Sequence, residues 1–127
     1  MEILLKCSIG EVYDKLTILE IKKLKIKDPS KLKNVSYELN YILNLLDSVE
    51  INEEVINYIK DLKDINNKLW EIEDAIRIKE EKKIFDQHFI DLARSVYITN
   101  DKRSLIKKKI NISLNSDLIE EKSYKYM

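Results

Sequence analysis

One glycine and one proline in 127 residues leave little from which to build loops. Phosphate-cradling loops and dinucleotide fingerprints need several glycines at fixed spacing, which Gly10 alone cannot supply. Asn-Gly and Asp-Gly pairs, the usual tight hairpin turns, are absent too, which argues against a sheet of short-looped strands. The lone cysteine, Cys7, closes no internal disulfide, and the lone histidine, His88, excludes a histidine-rich metal site. The 23 basic residues balance 23 acidic ones, so there is no global positive field and no nucleic-acid partner is expected. No apolar run approaches the roughly 18 residues of a membrane span. The opening stretch, Met1 to Lys6, is too short and wrongly flanked for a secretory signal. A soluble protein of the reducing cytoplasm, with no membrane partner, is the expectation.

What is present is Ile, Leu, Lys and Glu, with charged residues at 36%, the composition of a helical bundle. The fold expected is all-α: an antiparallel bundle of four to five helices in a single domain, with one long central helix over about 53–82 and a short apolar N-terminal arm over 1–7. Ser8-Ile9-Gly10-Glu11 reads as a capping box, in which Ser8 accepts from the Glu11 amide and Glu11 reaches back. A helix over about 9–27 then carries Val12, Leu16 and Leu19 as its apolar stripe, widened by Ile18 and Ile21, and leaves Glu11, Asp14, Lys15, Lys22 and Lys25 on the other side. Asp28-Pro29 restarts the chain as cap and first helical residue. Leu32, Val35, Leu39, Ile42, Leu46 and Val49 form a seam along 29–49. Asn52 caps the third helix, whose seam runs through Val55, Tyr58, Leu62, Ile65, Leu69, Ile72 and Ile76 and which reaches Glu80 or Lys82, about 45 Å at helical rise. A turn near Lys83 and a cap at Asp86 open a fourth helix over 87–99, with Phe89, Leu92, Ala93, Val96 and Tyr97 along it. Thr99-Asn100-Asp101 gathers three residues that compete with the helical backbone, so a break is expected there, with a fifth helix over 102–114. Leu118, Ile119, Tyr124 and Tyr126 suggest a tail docked on the bundle.

Two carboxylate pairs at helical spacing, Glu11/Asp14 and Glu71/Asp74, raise the question of a Mg²⁺ site. They resemble the paired acidic motifs of the all-α nucleotide pyrophosphohydrolases. Stepping the register through successive hairpins places Asp14 level with Ile42, and Ile42 level with Ile59, so Glu71 lies about 18 Å further along. The two pairs are therefore not expected to share an ion, no metal is favoured and no cofactor is expected. The alternative is Mg²⁺ on Glu71, Glu73 and Asp74. A hairpin centred near Ile84 sets Arg77 opposite Asp91, Asp74 opposite Arg94 and Glu71 level with Tyr97, a row of ion pairs between helices three and four. Lys102, Arg103 and Lys107 could edge a phosphate site beside Asn100, although Lys107-Lys108-Lys109 fans around its helix as a solvated face does. His88 reads as a surface residue and Cys7 as a small buried one. Trp70 lies off the seam and is expected to pack under a neighbouring segment.

Several longer stretches are distinctive. Ser8-Ile9-Gly10-Glu11-Val12-Tyr13-Asp14-Lys15-Leu16-Thr17-Ile18-Leu19-Glu20-Ile21-Lys22, Leu69-Trp70-Glu71-Ile72-Glu73-Asp74, Ala93-Arg94-Ser95-Val96-Tyr97, Thr99-Asn100-Asp101 and Glu120-Glu121-Lys122-Ser123-Tyr124 resemble the motifs of a small bacterial family of about this length and of unassigned function, associated with surface-polysaccharide gene neighbourhoods. Ile9 departs from the proline common in that motif. The resemblance implies a compact helical domain, and implies that Glu11, Asp14, Lys15, Trp70, Glu73, Asp74, Arg94, Tyr97, Asn100, Asp101 and Glu121 belong to motifs. Register and resemblance together leave Trp70, Glu73, Asp74, Arg77, Arg94, Tyr97, Asn100, Asp101 and Arg103 as the candidate ligand-binding set. Two functions stay open. One is a non-enzymatic binding or accessory protein, with a protein partner or a homodimer through the long third helix and room for a small phosphorylated ligand. The other is a Mg²⁺-dependent phosphohydrolase of a nucleotide or nucleotide sugar.

Overall fold

The structure is a computed structural model and describes residues 1–125; Tyr126, expected in the docked tail, lies outside them. Among the described residues there are four helices and no strand: α1 Ile9–Lys25, α2 Pro29–Leu46, α3 Glu53–Glu81 and α4 Gln87–Ser113. All four begin at the caps legible in the sequence. Ser8, Asp28, Asn52 and Asp86 each turn a side-chain oxygen onto an amide of the first turn, satisfying donors that the helix leaves without partners. Two helices end early: α1 at Lys25 rather than 27, and α2 at Leu46 rather than 49.

The anticipated break at 99–101 is absent. α4 runs unbroken through it, and Thr99 is buried. Packing decides here over the local preference of Thr, Asn and Asp for other conformations. α3 and α4 both close on a residue in the left-handed region, Lys83 (φ 55°) and Asn115 (φ 53°). In each, the next amide reaches back five residues, Ile84 to the Lys79 carbonyl at 3.0 Å and Ser116 to the Asn111 carbonyl at 2.8 Å, the Schellman arrangement.

The core has two parts. Leu19 of α1 packs with Val35, Leu39 and Ile42 of α2, while Tyr13 of α1 packs with Leu62 of α3 and Ile110 of α4. Leu16 and Leu46 touch both. The fully buried Leu62 and Ile110 each contribute about 1.5–3 kcal/mol relative to exposure. α1 is the hub: it meets α2, α3 and α4, and α3 also packs along α4, whereas α2 packs lengthwise on α1 alone. For that reason the stepwise register through α2 misplaces Asp14. The side chain lies against Asn66 of α3, seven positions beyond Ile59.

Candidate functional site

Asp14 was expected on the charged side of α1. It is fully buried and is the centre of the interior polar network. Its Oδ1 accepts from Asn66 Nδ2 and from Arg103 Nε, both at 2.9 Å, and its Oδ2 pairs with Arg103 Nη2. Asn66 Nδ2 also donates to Thr17 Oγ1 at 2.9 Å, and that hydroxyl donates to the Asp14 carbonyl at 2.8 Å. Three helices are thus tied by one carboxylate, and among the described residues no buried side-chain polar atom lacks a partner. A buried charge persists only when paired and hydrogen-bonded in this way. The hydrogen bonds to Asp14 hold the Arg103 guanidinium above its ordinary value against the opposing effect of burial.

One turn nearer the start of α1, Gly10 donates its amide to Asn111 Oδ1 at 2.6 Å. A Cβ there would lie 2.5 Å from the Lys107 carbonyl oxygen, so only glycine allows α1 to approach α4 this closely. Only the Ser8 half of the expected capping box forms: Ser8 Oγ accepts from the Glu11 amide at 3.3 Å, while the Glu11 carboxylate, instead of reaching back, takes Lys107 Nζ at 2.5 Å across the helix pair. Lys107 therefore leaves the solvated face assigned to it and is largely covered, with Glu120 of the tail 3.4 Å away on its other side. Burial pulls its ammonium down, but the Glu11 hydrogen bond and the surrounding carboxylates leave it raised above 10.5. Burial likewise pushes Glu120 up, while Lys107, together with hydrogen bonds that include one from Ser8, brings it below 4.5. With Lys6 on Asp117 and Lys108 on Glu121, these contacts dock the tail. Cys7 is exposed rather than buried, and partial burial with the nearby Glu11 and Glu120 raises its thiol, the reverse of activation. His88 is exposed, as expected.

Beside the Asp14 network opens a cleft of about 440 Å³ between α1, α3 and α4. Ile18, Ile21 and Leu69 line it with aliphatic surface, and Asn66, Trp70, Glu73, Asp74, Arg77, Asn100 and Arg103 supply the rest of the lining. Six of the nine candidate ligand residues therefore meet. Trp70 is half-buried and lines the cleft. Tyr97 and Asp101 line a neighbouring cleft with Lys122 and Tyr124 instead, sharing only Asn100, and Arg94 is exposed and lines neither. The expected row of ion pairs between α3 and α4 is not formed. Arg77 Nε bonds Glu73 within its own helix at 3.2 Å, and Asp91 accepts from Gln87. The level was right, since Asn66 and Arg103 meet at Asp14, but the rotation of the two helices was not. Among the described residues no three of His, Cys, Asp and Glu stand together to hold a metal ion. Glu71 is exposed and does not line the cleft that Glu73 and Asp74 share.

Asn66 escaped the sequence reading although a signal exists. It sits four residues from Leu62 and three from Leu69, in line with the α3 seam, where a lone amide marks a buried polar contact.

Fold and site define a small all-helical protein in which an interior Asp–Arg–Asn network backs an open, mixed-polarity cleft. The chain belongs to the family described as "Family of unknown function (DUF6165)", which matches residues 3–127. No curated protein matches the chain, and no solved structure does. No helix among the described residues is long and apolar enough to cross a membrane.

Proposed function

We propose that this is a binding protein whose ligand is a small polyhydroxylated ring, a saccharide or its activated form, held in the α1/α3/α4 cleft. The observation that carries the reading is the lining itself: the only tryptophan of the chain beside two carboxylates, two amides and two guanidinium groups, with three aliphatic side chains. A half-buried indole offers a flat apolar face for a sugar ring. Arg103 is already engaged by Asp14, and Arg77 by Glu73, whereas Asp74 enters none of the ion pairs among the described residues. The cleft therefore has no surplus positive charge for a free phosphate. It offers donors and acceptors side by side, which suits hydroxyl groups able to do both. Arg77 keeps its two terminal nitrogens outside the Glu73 bond, so a sugar carrying a phosphoryl group also fits its rim. An accessory role in surface-polysaccharide metabolism accords with such a ligand.

Trp70, as the lone tryptophan, reports binding by its own fluorescence. Titration with monosaccharides, nucleotide sugars and free nucleotides should give a saturable change with the sugar-bearing compounds, lost in Asp74→Asn. A ligand at about 100 times its dissociation constant should add roughly 2.7 kcal/mol of stability. A folded protein silent to every compound at millimolar concentration, or one responding equally to free nucleotides, sinks the reading.

A further inference from the structure

Tyr97 and Asp101 of α4, together with Lys122, Tyr124 and Lys125 of the tail, line a second cleft of about 510 Å³. On α4, Tyr97, Asn100 and Asp101 fall on one side by their three- and four-residue spacing. The tail comes beside them because its acids are turned onto the second half of the same helix. Glu120 lies on Lys107, and Glu121 takes Lys108 at 2.9 Å. Directly after these anchors come the tail residues of the cleft. Its lining holds two lysines and one carboxylate, whereas in the Trp70 cleft Arg77 and Arg103 match Glu73 and Asp74.

Both phenol rings are open to a ligand, Tyr97 being 55% and Tyr124 70% exposed, and the Lys122 ammonium lies 5.9 Å from the Tyr124 ring centroid. Exposed rings beside a cation suit a group that is planar at one end and anionic at the other. Aromatic faces stack on any nucleobase, and a lysine ammonium takes phosphate. Asn100 lines both clefts, and its Oδ1 accepts from Arg103 of the first at 3.5 Å. The two clefts thus adjoin at one side chain, and each falls within the roughly 300–1,000 Å³ of small-molecule sites.

We propose that the Tyr97/Tyr124 cleft is the site of a nucleoside diphosphate, its base against the tyrosines and its phosphates beside the tail lysines, and that it joins the Trp70 cleft into one site for a nucleotide sugar. The sugar end rests on the reading of the Trp70 cleft given above; the nucleotide end stands on the second cleft alone. Inorganic phosphate would meet the lysines and leave the rings unused. A long nucleic-acid strand needs a positive groove, which a chain of zero net charge does not extend beyond this cleft. The tail becomes part of the binding site, so a bound nucleotide ties it more firmly to α4.

Equilibrium dialysis counts binding at either cleft, while Trp70 fluorescence reports the first, since Trp70 does not line the second. The probes are UDP, GDP, ADP and CDP, the glucose derivative of each, and free glucose. At least one diphosphate should be retained with Trp70 unmoved. Its glucose derivative should bind at least about tenfold tighter, because the joined ends raise each other's effective concentration. Tyr97→Ser and Lys122→Glu, both at exposed positions, should each weaken the diphosphate at least about tenfold with helix content unchanged, whereas Tyr37→Ser on α2 should not. Chymotryptic cleavage at Tyr124 should slow when the diphosphate is bound. No diphosphate retained at about 1 mM, or retention indifferent to both Tyr97→Ser and Lys122→Glu, overturns the inference even where free glucose moves Trp70 and the sugar reading stands. A glucose derivative held no tighter than its diphosphate, while free glucose moves Trp70, overturns the joined site. Retention lost in both variants with Trp70 silent throughout supports the nucleotide cleft and removes the sugar reading instead.

Discussion

Arg103 of α4 holds Asp14 of α1 with two nitrogens while Asn66 of α3 donates to the same carboxylate, so one buried acid sets the spacing of three helices. Removing one member strands the others. Asp14→Ala leaves a partly covered guanidinium without its carboxylate and takes from the buried Asn66 amide one of its two acceptors, and should cost about 3 kcal/mol in urea unfolding, near the lower end for a buried pair because Arg103 still reaches solvent and Asn66 keeps Thr17. Asn66→Asp is the sharper test. It sets a second carboxylate against Asp14, so the variant should be strongly destabilised at neutral pH and recover as acid protonates one of the two. A variant whose deficit is the same at pH 7 and pH 4 would refute this account of the network.

Gly10 stands where α1 crosses α4, and its missing side chain is filled by the backbone of the other helix. A methyl group there must displace the Lys107 carbonyl, 2.5 Å away, and crowd Asn111 Oδ1 at 2.8 Å. Gly10→Ala should therefore destabilise by about 1–3 kcal/mol, despite alanine's better helix propensity. Unfolding midpoints of the two proteins decide it. Equal or raised stability would mean the crossing relaxes freely.

Much of the fold was legible because helices advertise themselves locally. The four caps lie within a turn of the donors they serve, and the apolar spacing along α2 and α3 names the buried faces directly. The buried half of the site was not legible, since its partners are far apart in sequence: Asp14 and Arg103 are separated by 89 positions. On α1 alone, Asp14 looks like one more member of a charged face. The rotation of α4 was equally hidden, because Arg94 and Tyr97 read as neighbours of Asp74 and Glu71 by level, while burial of Thr99 and Ile110 turns them away. Trp70 with Glu73 and Asp74 survived as a group because helical spacing alone puts them on one side of α3.

Lys83 closes α3 with φ 55°, a conformation that disfavours any residue with a Cβ. Its side chain contributes only an exposed pair with Glu80, worth under about 1 kcal/mol. Lys83→Gly should accordingly raise stability by roughly 1 kcal/mol, seen as a higher thermal midpoint at unchanged helix content. A fall would show that the lysine contact outweighs the backbone strain.

The tail contact supplies a pH dependence of known sign. Glu120 ionises below its ordinary 4.5 in the folded chain, so in acid the unfolded chain takes up this proton first. Its contribution is complete above about pH 4.5 and is lost as pH falls through the lower folded value. Because Glu120 is over half exposed, that contribution should be at most about 1 kcal/mol. Lys107 works in the opposite direction at the other end of the scale: its raised folded value gives stability present below about pH 10.5 and lost as pH climbs through it. Thermal midpoints of the parent protein and of Glu120→Gln should thus differ at pH 7 and converge as pH falls from 4.5 through the lower folded value. In the variant the tail should also lose its grip on Lys107, so limited proteolysis near Glu121 should quicken at pH 7. A gap that persists at low pH would place the effect of Glu120 in packing rather than in its charge.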